Sequence, residues 1–232
     1  MPRRPRMAMG GLAYHVLNRA VGRATLFEKP ADYVAFERVL GQAWERVGTR
    51  IVSYCVMPNH WHMVLWPRED AELSEFMRWL TVTHTQRWHA NRHTAGTGPV
   101  YQGRFKSFPI EQDDHLLTVC RYVERNPLRA NLVKRAENWR WGSLWRRGHG
   151  KAAERASLLA LLDWPVAPPR NWVAVVNRAE TPDELDAVRR SVVRGAPFGH
   201  APWQKRTAAR LGLESTLRPR GRPKRKEPAK GP

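Results

Sequence analysis

Residues 51–66 read IVSYCVMPNHWHMVLW, and this stretch decides the fold. Ile51–Met57 is an apolar, β-branched run of strand length, and Pro58-Asn59 supplies two-residue turn chemistry. His60–Trp66 then follows as the second strand of a hairpin. Alternation along that strand puts His60 and His62 on one face and Trp61 on the opposite, packed face. On the N-terminal side, LAYHVLNR (Leu12–Arg19) alternates loosely as a strand. Asp32 to Val47 then carries Val34, Phe36, Val39, Leu40, Ala43, Trp44 and Val47 at helical spacing. On the C-terminal side, residues 71–90 repeat the helical period through Leu73, Phe76, Met77 and Leu80. A Gly-rich basic loop, GTGPVYQGRF, leads into a short strand at Lys106–Glu111. Asp113 or Asp114 caps a third helix that ends near Asn126, because Pro127 disfavours continuation.

The order strand–helix–strand–strand–helix–strand predicts an α+β chain with a ferredoxin-like βαββαβ core, an antiparallel sheet and helices on one face. A further helix closes it. Beyond residue 150 the pattern changes to a small helical appendage. Thr181 and Glu184 form a capping box, Pro182 sits at the first helical position and Gly195 stops that helix. A second helix runs from Pro202 to Leu211. The expected organisation is a basic arm at 1–10, a catalytic domain at 11–150, a helical region at 151–214 and a basic tail at 215–232.

The 232 residues hold 40 Lys+Arg against 21 Asp+Glu, a net charge of +19. A hydrophobic share of 42% with 11 Trp excludes wholesale disorder. No apolar run approaches membrane-spanning length, and the basic start lacks a signal-peptide core. Cys55 and Cys120 lie in apolar contexts and read as reduced core thiols, which fits a cytoplasmic protein near the nucleoid. The last eighteen residues carry seven cations and one acid, yet the rest of the chain is also basic, and Arg outnumbers Lys throughout. That balance points to a polyanionic partner, nucleic acid first, against the plainer reading of a solubilising charge.

Two imidazoles spaced by one residue on a strand can converge on one divalent ion, or can simply occupy a solvated face. On the third helix Leu116, Cys120 and Val123 form the core stripe. His115, Thr118, Tyr122 and Asn126 share another face, with Tyr122 and Asn126 one turn apart. A phenol and an amide beside two histidines suit phosphoryl chemistry. Neutral ligands leave an ion's charge free to act as a Lewis acid, and a tyrosinate can attack phosphorus. Arg104 and Lys106, in the Gly-rich loop and at the start of the following strand, suit phosphate contacts. Arg220-Gly221-Arg222-Pro223 has the core of an AT-hook, or is a nonspecific polybasic tail. Trp139, Trp141 and Trp145 read as helix core packing rather than base-stacking platforms.

The runs MPNHWHMVL (57–65) and RYVERNPLRA (121–130) resemble the two signatures of the REP-associated tyrosine transposases, HUH single-tyrosine enzymes similar to small insertion-sequence transposases. YHVLNR, VYQGRFKS, WRWGSLW and the C-terminal run from Arg194 also resemble family segments, so the likeness covers most of the chain. The resemblance implies that His60, His62 and Asn126 bind Mg²⁺ or Mn²⁺ and that Tyr122 is the nucleophile. It implies a 5′-phosphotyrosine intermediate on hairpin or single-stranded DNA, formed by a monomer acting on its own metal. Two alternatives stand beside it: a hairpin-binding protein that does not cleave, and a replication-initiator-like HUH nickase.

Overall fold

The computed structural model describes residues 8–152 and 164–218. Four strands, β1 (Ala13–Arg19), β2 (Arg50–Met57), β3 (His60–Trp66) and β4 (Lys106–Ile110), form one sheet in the order β2-β3-β1-β4. Every neighbouring pair is antiparallel. Met57 pairs with His60 across the Pro58-Asn59 turn, so the hairpin closes where its turn residues predict. Leu17 pairs with His62 and His15 with Phe108, which seats β1 at the centre of the sheet.

The two core helices, α1 (Pro30–Val47) and α2 (Glu72–Arg92), cover one face. They bury Phe36, Leu40, Phe76 and Leu80 against Tyr14, Val16, Tyr54, Trp61, Met63 and Leu65. Trp61 is fully buried there, and truncating a buried Trp to Ala costs about 3–5 kcal/mol. This is the ferredoxin-like α+β core expected from the hairpin and its flanks.

The opposite face of the sheet carries a second core. α3 (Asp114–Glu124) lays Leu116, Val119, Cys120 and Val123 on Val52, Cys55, Val64, Phe108 and Ile110. Asp113 is the cap, accepting from the His115 N–H. Short helices α4 (Asn126–Arg129) and α5 (Ser143–His149) follow. Next come α6 (Trp172–Asn177), α7 (Pro182–Arg194), α8 (Ala201–Leu211) and α9 (Glu214–Leu217). Trp172, Val176, Val188 and Phe198 join this second core. The Phe198 N–H donates to the Pro109 carbonyl at 2.9 Å, and the Glu111 N–H donates to the Phe198 carbonyl at 2.9 Å. The C-terminal segment is thereby bonded to β4.

The Thr181–Glu184 capping box forms as read, and Gly195 ends α7 at φ 71°, a left-handed value that suits Gly. α3 stops at Glu124, short of Asn126, because Pro127 starts a separate turn. Trp139 and Trp141 are not helical. Trp139 Nε1 donates to the Val56 carbonyl at 2.9 Å, and Trp141 stacks on Tyr33 at 4.7 Å; only Trp145 lies in a helix. Both cysteines are free and buried. Residues 1–7 of the basic arm and 219–232 of the tail, with Arg220 and Arg222, lie outside the described residues. No described helix is long and apolar enough to cross a membrane.

Candidate active site

β3 enters from a tight turn, so His60 and His62 emerge side by side on the α3 face, with ring centroids 5.1 Å apart. His60 is half-buried and His62 buried. α3 crosses above them and presents Tyr122, whose ring centroid lies 5.8 Å from that of His62 in an edge-on contact. Asn126, the first residue of α4, lies one turn beyond. These four side chains line one cleft of about 590 Å³ together with Arg104 and Lys106. Six residues singled out from the sequence therefore meet in one place, although α3 breaks between Tyr122 and Asn126. His115 and Thr118, read as sharing the Tyr122 face, instead line a separate cavity beside α7.

The cleft is electropositive. Arg19, Arg104, Lys106, Arg129 and Arg189 all line it, and no carboxylate among the described residues does. Arg19 reaches it from the end of β1, and its buried Nε has no hydrogen-bond partner among the described residues. Arg129 lies over the Tyr122 ring, 4.2 Å from the guanidinium carbon to the centroid. Glu180 holds it there by accepting from Nη1 at 2.8 Å, and the same carboxylate accepts from Arg125 Nε at 3.0 Å. Arg121 turns away and donates to the carbonyls of Arg178 and Ala179.

Burial keeps the histidines neutral. Desolvation, with the Arg19 and Arg129 cations adding to it, lowers His60 to about 4. It lowers His62 well below the ordinary imidazole value, helped by its histidine neighbours. Each ring engages its Nδ1: His60 Nδ1 lies 2.6 Å from Asn59 Oδ1, and His62 Nδ1 lies 2.8 Å from His15 Nε2. The Nε2 of each is left without a protein partner among the described residues. Two neutral imidazoles and a nearby amide oxygen are a donor set that suits a divalent ion.

His15, Arg19, Arg129 and Arg189 were not singled out from the sequence. Arg129 had a readable signal, since it stands seven residues after Tyr122, two helical turns on. His15 had none beyond the strand, because its role depends on which strand pairs with β1.

A second group of donors lies away from this cleft. Glu111, Asp113, His115 and His200 bring one ligand atom each within 4.8 Å of one another. They bond to each other: the His200 N–H donates to Glu111 Oε2 at 2.7 Å, and His115 Nδ1 lies 2.8 Å from Asp113 Oδ1. The set fastens the start of α8 to the β4–α3 corner.

The sheet thus carries paired histidines beneath a helix-borne tyrosine, in a cationic cleft. The chain belongs to the IS200-like transposase family, whose description, "Transposase IS200 like", matches residues 8–126. That span contains His60, His62, Tyr122 and Asn126. Among solved structures, the chain is similar to a REP-associated tyrosine transposase bound to a REP hairpin. The identity there is 20% and the TM-score 0.48, over 65% of this chain and 86% of the other. It is also similar to a candidate transposase from Deinococcus radiodurans R1, at 15% identity and a TM-score of 0.35, over 56% of this chain and 95% of that one. No curated protein matches the chain.

Proposed function

We propose that this transposase is a metal-dependent endonuclease and strand transferase for hairpin and single-stranded DNA, with Tyr122 as its nucleophile. The observation that carries the reading is the seating of Tyr122 in the same cationic cleft as His60, His62 and Asn126. His60, His62 and Asn126 would hold Mg²⁺ or Mn²⁺. Bound there, the ion supplies Lewis-acid polarisation of a phosphate oxygen without proton exchange.

The chain's own groups do the rest. Arg19, Arg104 and Lys106, which line the cleft, bind the phosphates that flank the scissile one. The Tyr122 oxygen forms a bond to phosphorus as the bond from phosphorus to the 3′ oxygen breaks. The phenol gives up its proton, and the departing oxygen takes one to become a free 3′-hydroxyl. The product is a 5′-phosphotyrosine link. Reversal by a different 3′-hydroxyl joins a new strand and restores the phenol, so no external energy source is needed. Arg129, lying over the ring, stabilises the negative charge on the phenol as it reacts. Tyr122 lies beside the histidine pair of its own chain, so in this reading it acts in cis.

The test separates binding from chemistry. His60→Ala and His62→Ala should each abolish cleavage of an end-labelled hairpin in Mg²⁺ or Mn²⁺. Hairpin affinity should largely survive, since phosphate contacts dominate it. Wild-type-like cleavage by either variant overturns the metal site. Hairpin binding by the wild type with no cleavage in any divalent metal favours a non-cleaving binder instead.

A further inference from the structure

We infer that His15 is a positioning residue that sets the tautomer of His62, in the way that Asn59 sets that of His60. The inference rests on the proposed metal role of His60, His62 and Asn126, and adds a residue to it.

His60 shows the principle. Asn59 Nδ2 donates to the Arg23 carbonyl at 3.3 Å, which fixes the amide so that Oδ1 faces His60 Nδ1 at 2.6 Å. An amide oxygen accepts only, so the proton of the neutral ring sits on Nδ1 and the lone pair sits on Nε2. That is the nitrogen left free of protein partners among the described residues. A metal-binding histidine commonly has its other nitrogen engaged in this way.

His62 lacks such an oxygen. Its Nδ1 faces His15 Nε2 at 2.8 Å, ring against ring. Between two neutral imidazoles, one proton lies in that contact and either ring can own it. Only when His62 owns it does His62 Nε2 carry a lone pair for an ion. His15 then accepts through Nε2 and carries its own proton on Nδ1.

The surroundings of His15 fit an acceptor kept for this purpose. The residue is completely buried, stacks on Phe108 at 4.8 Å and meets the Tyr122 edge at 6.2 Å. Its Nδ1 has no hydrogen-bond partner among the described residues. A buried ring with one nitrogen unpaired weakens a core that an aliphatic side chain would fill at lower cost. What the imidazole supplies in return is a rigid acceptor behind His62, and its stacking on β4 holds that acceptor in place.

The experiment titrates the full chain, without DNA, with Mn²⁺, and measures stability in urea alongside. His15→Leu removes the acceptor and the buried polar atoms together. Its Mn²⁺ affinity should fall about 10- to 100-fold while its stability stays level or rises. His15→Gln restores an acceptor oxygen and should return affinity towards the wild-type value. Histidine ¹⁵N spectra of the Mg²⁺-loaded wild type should show the His62 proton on Nδ1, a signature that a purely structural role does not require. Wild-type Mn²⁺ affinity in His15→Leu overturns the inference and leaves the metal site standing. So does a loss of affinity that only tracks a loss of stability. A wild type that binds no Mn²⁺ overturns the metal site, and the inference with it.

Discussion

Three tyrosines lie on or beside the sheet, and their surroundings separate them. Tyr14 faces the α1–α2 core, where burial pushes it up to about 12 and its hydroxyl bonds to the Met9 main chain. Tyr101 is buried, accepts from Trp61 Nε1 at 3.1 Å and lies 2.7 Å from His84 Nδ1. Of the three, only Tyr122 lines the cleft that holds His60 and His62. A single aromatic residue on a helix says little by itself; RYVERNPLRA became informative because Asn126 follows Tyr122 by one helical turn and the run resembles a family signature. Arg129 is the residue whose effect is most readily measured. Arg129→Met keeps the stem and removes the charge above the ring, so single-turnover cleavage should slow about 100-fold while Mn²⁺ affinity holds. An unchanged rate would show that the cation does not assist the phenol.

At the scale of elements, the β2–β3 hairpin was legible from residues 51–66 alone, since strand period, turn chemistry and strand period follow one another without a gap. The two helices of the first core were equally legible from their spacing. The second core was not. Nothing local in Trp172, Val176 or Phe198 says that they pack on β4 and α3, because such pairings lie far apart in sequence and leave no periodic trace. Glu180 belongs to this hidden part. It precedes the capped start of α7 and ties Arg125 and Arg129 to that helix. Glu180→Gln should therefore slow cleavage by releasing Arg129, although Glu180 itself does not line the cleft. Thr181→Ala removes the cap of α7 and should destabilise the chain by about 1 kcal/mol. Urea unfolding of both variants checks this: the cap variant should lose stability with little change in the single-turnover rate, and Glu180→Gln should slow the rate.

At the scale of the whole molecule, the chain keeps imidazoles neutral in its interior. Burial lowers His84 to about 4, with the nearby Arg92 cation adding to the effect, and lowers His15 to about 3. In the unfolded chain both titrate near 6.5. The unfolded state therefore binds more protons between those values, and the stability they contribute is complete above about pH 6.5 and lost as pH falls towards about 4 for His84 and about 3 for His15. Each imidazole contributes a slope of about 1.4 kcal/mol per pH unit in that window. Urea midpoints at pH 7 and pH 5 check it; equal stability at the two would contradict the burial of these rings. The charge of the molecule also reaches beyond the described residues. Arg194 holds the carbonyls of Ser215, Thr216 and Arg218, so a cut that spares the fold removes 219–232 rather than everything after Leu213. That deletion should weaken hairpin binding and flatten its salt dependence, by about 0.7 to 0.9 of a slope unit for each phosphate that the tail neutralises. Cleavage at saturating DNA should remain. An unchanged salt slope would show that Arg220 and Arg222 do not touch DNA.

The central claim is that Tyr122 carries the strand. Wild-type protein incubated with end-labelled hairpin DNA and Mg²⁺ or Mn²⁺, then digested, should yield one peptide bearing DNA, and that peptide should contain Tyr122. Tyr122→Phe should bind the hairpin and yield none. DNA on the Tyr14 or Tyr101 peptide, or cleavage that persists in Tyr122→Phe, would contradict the account.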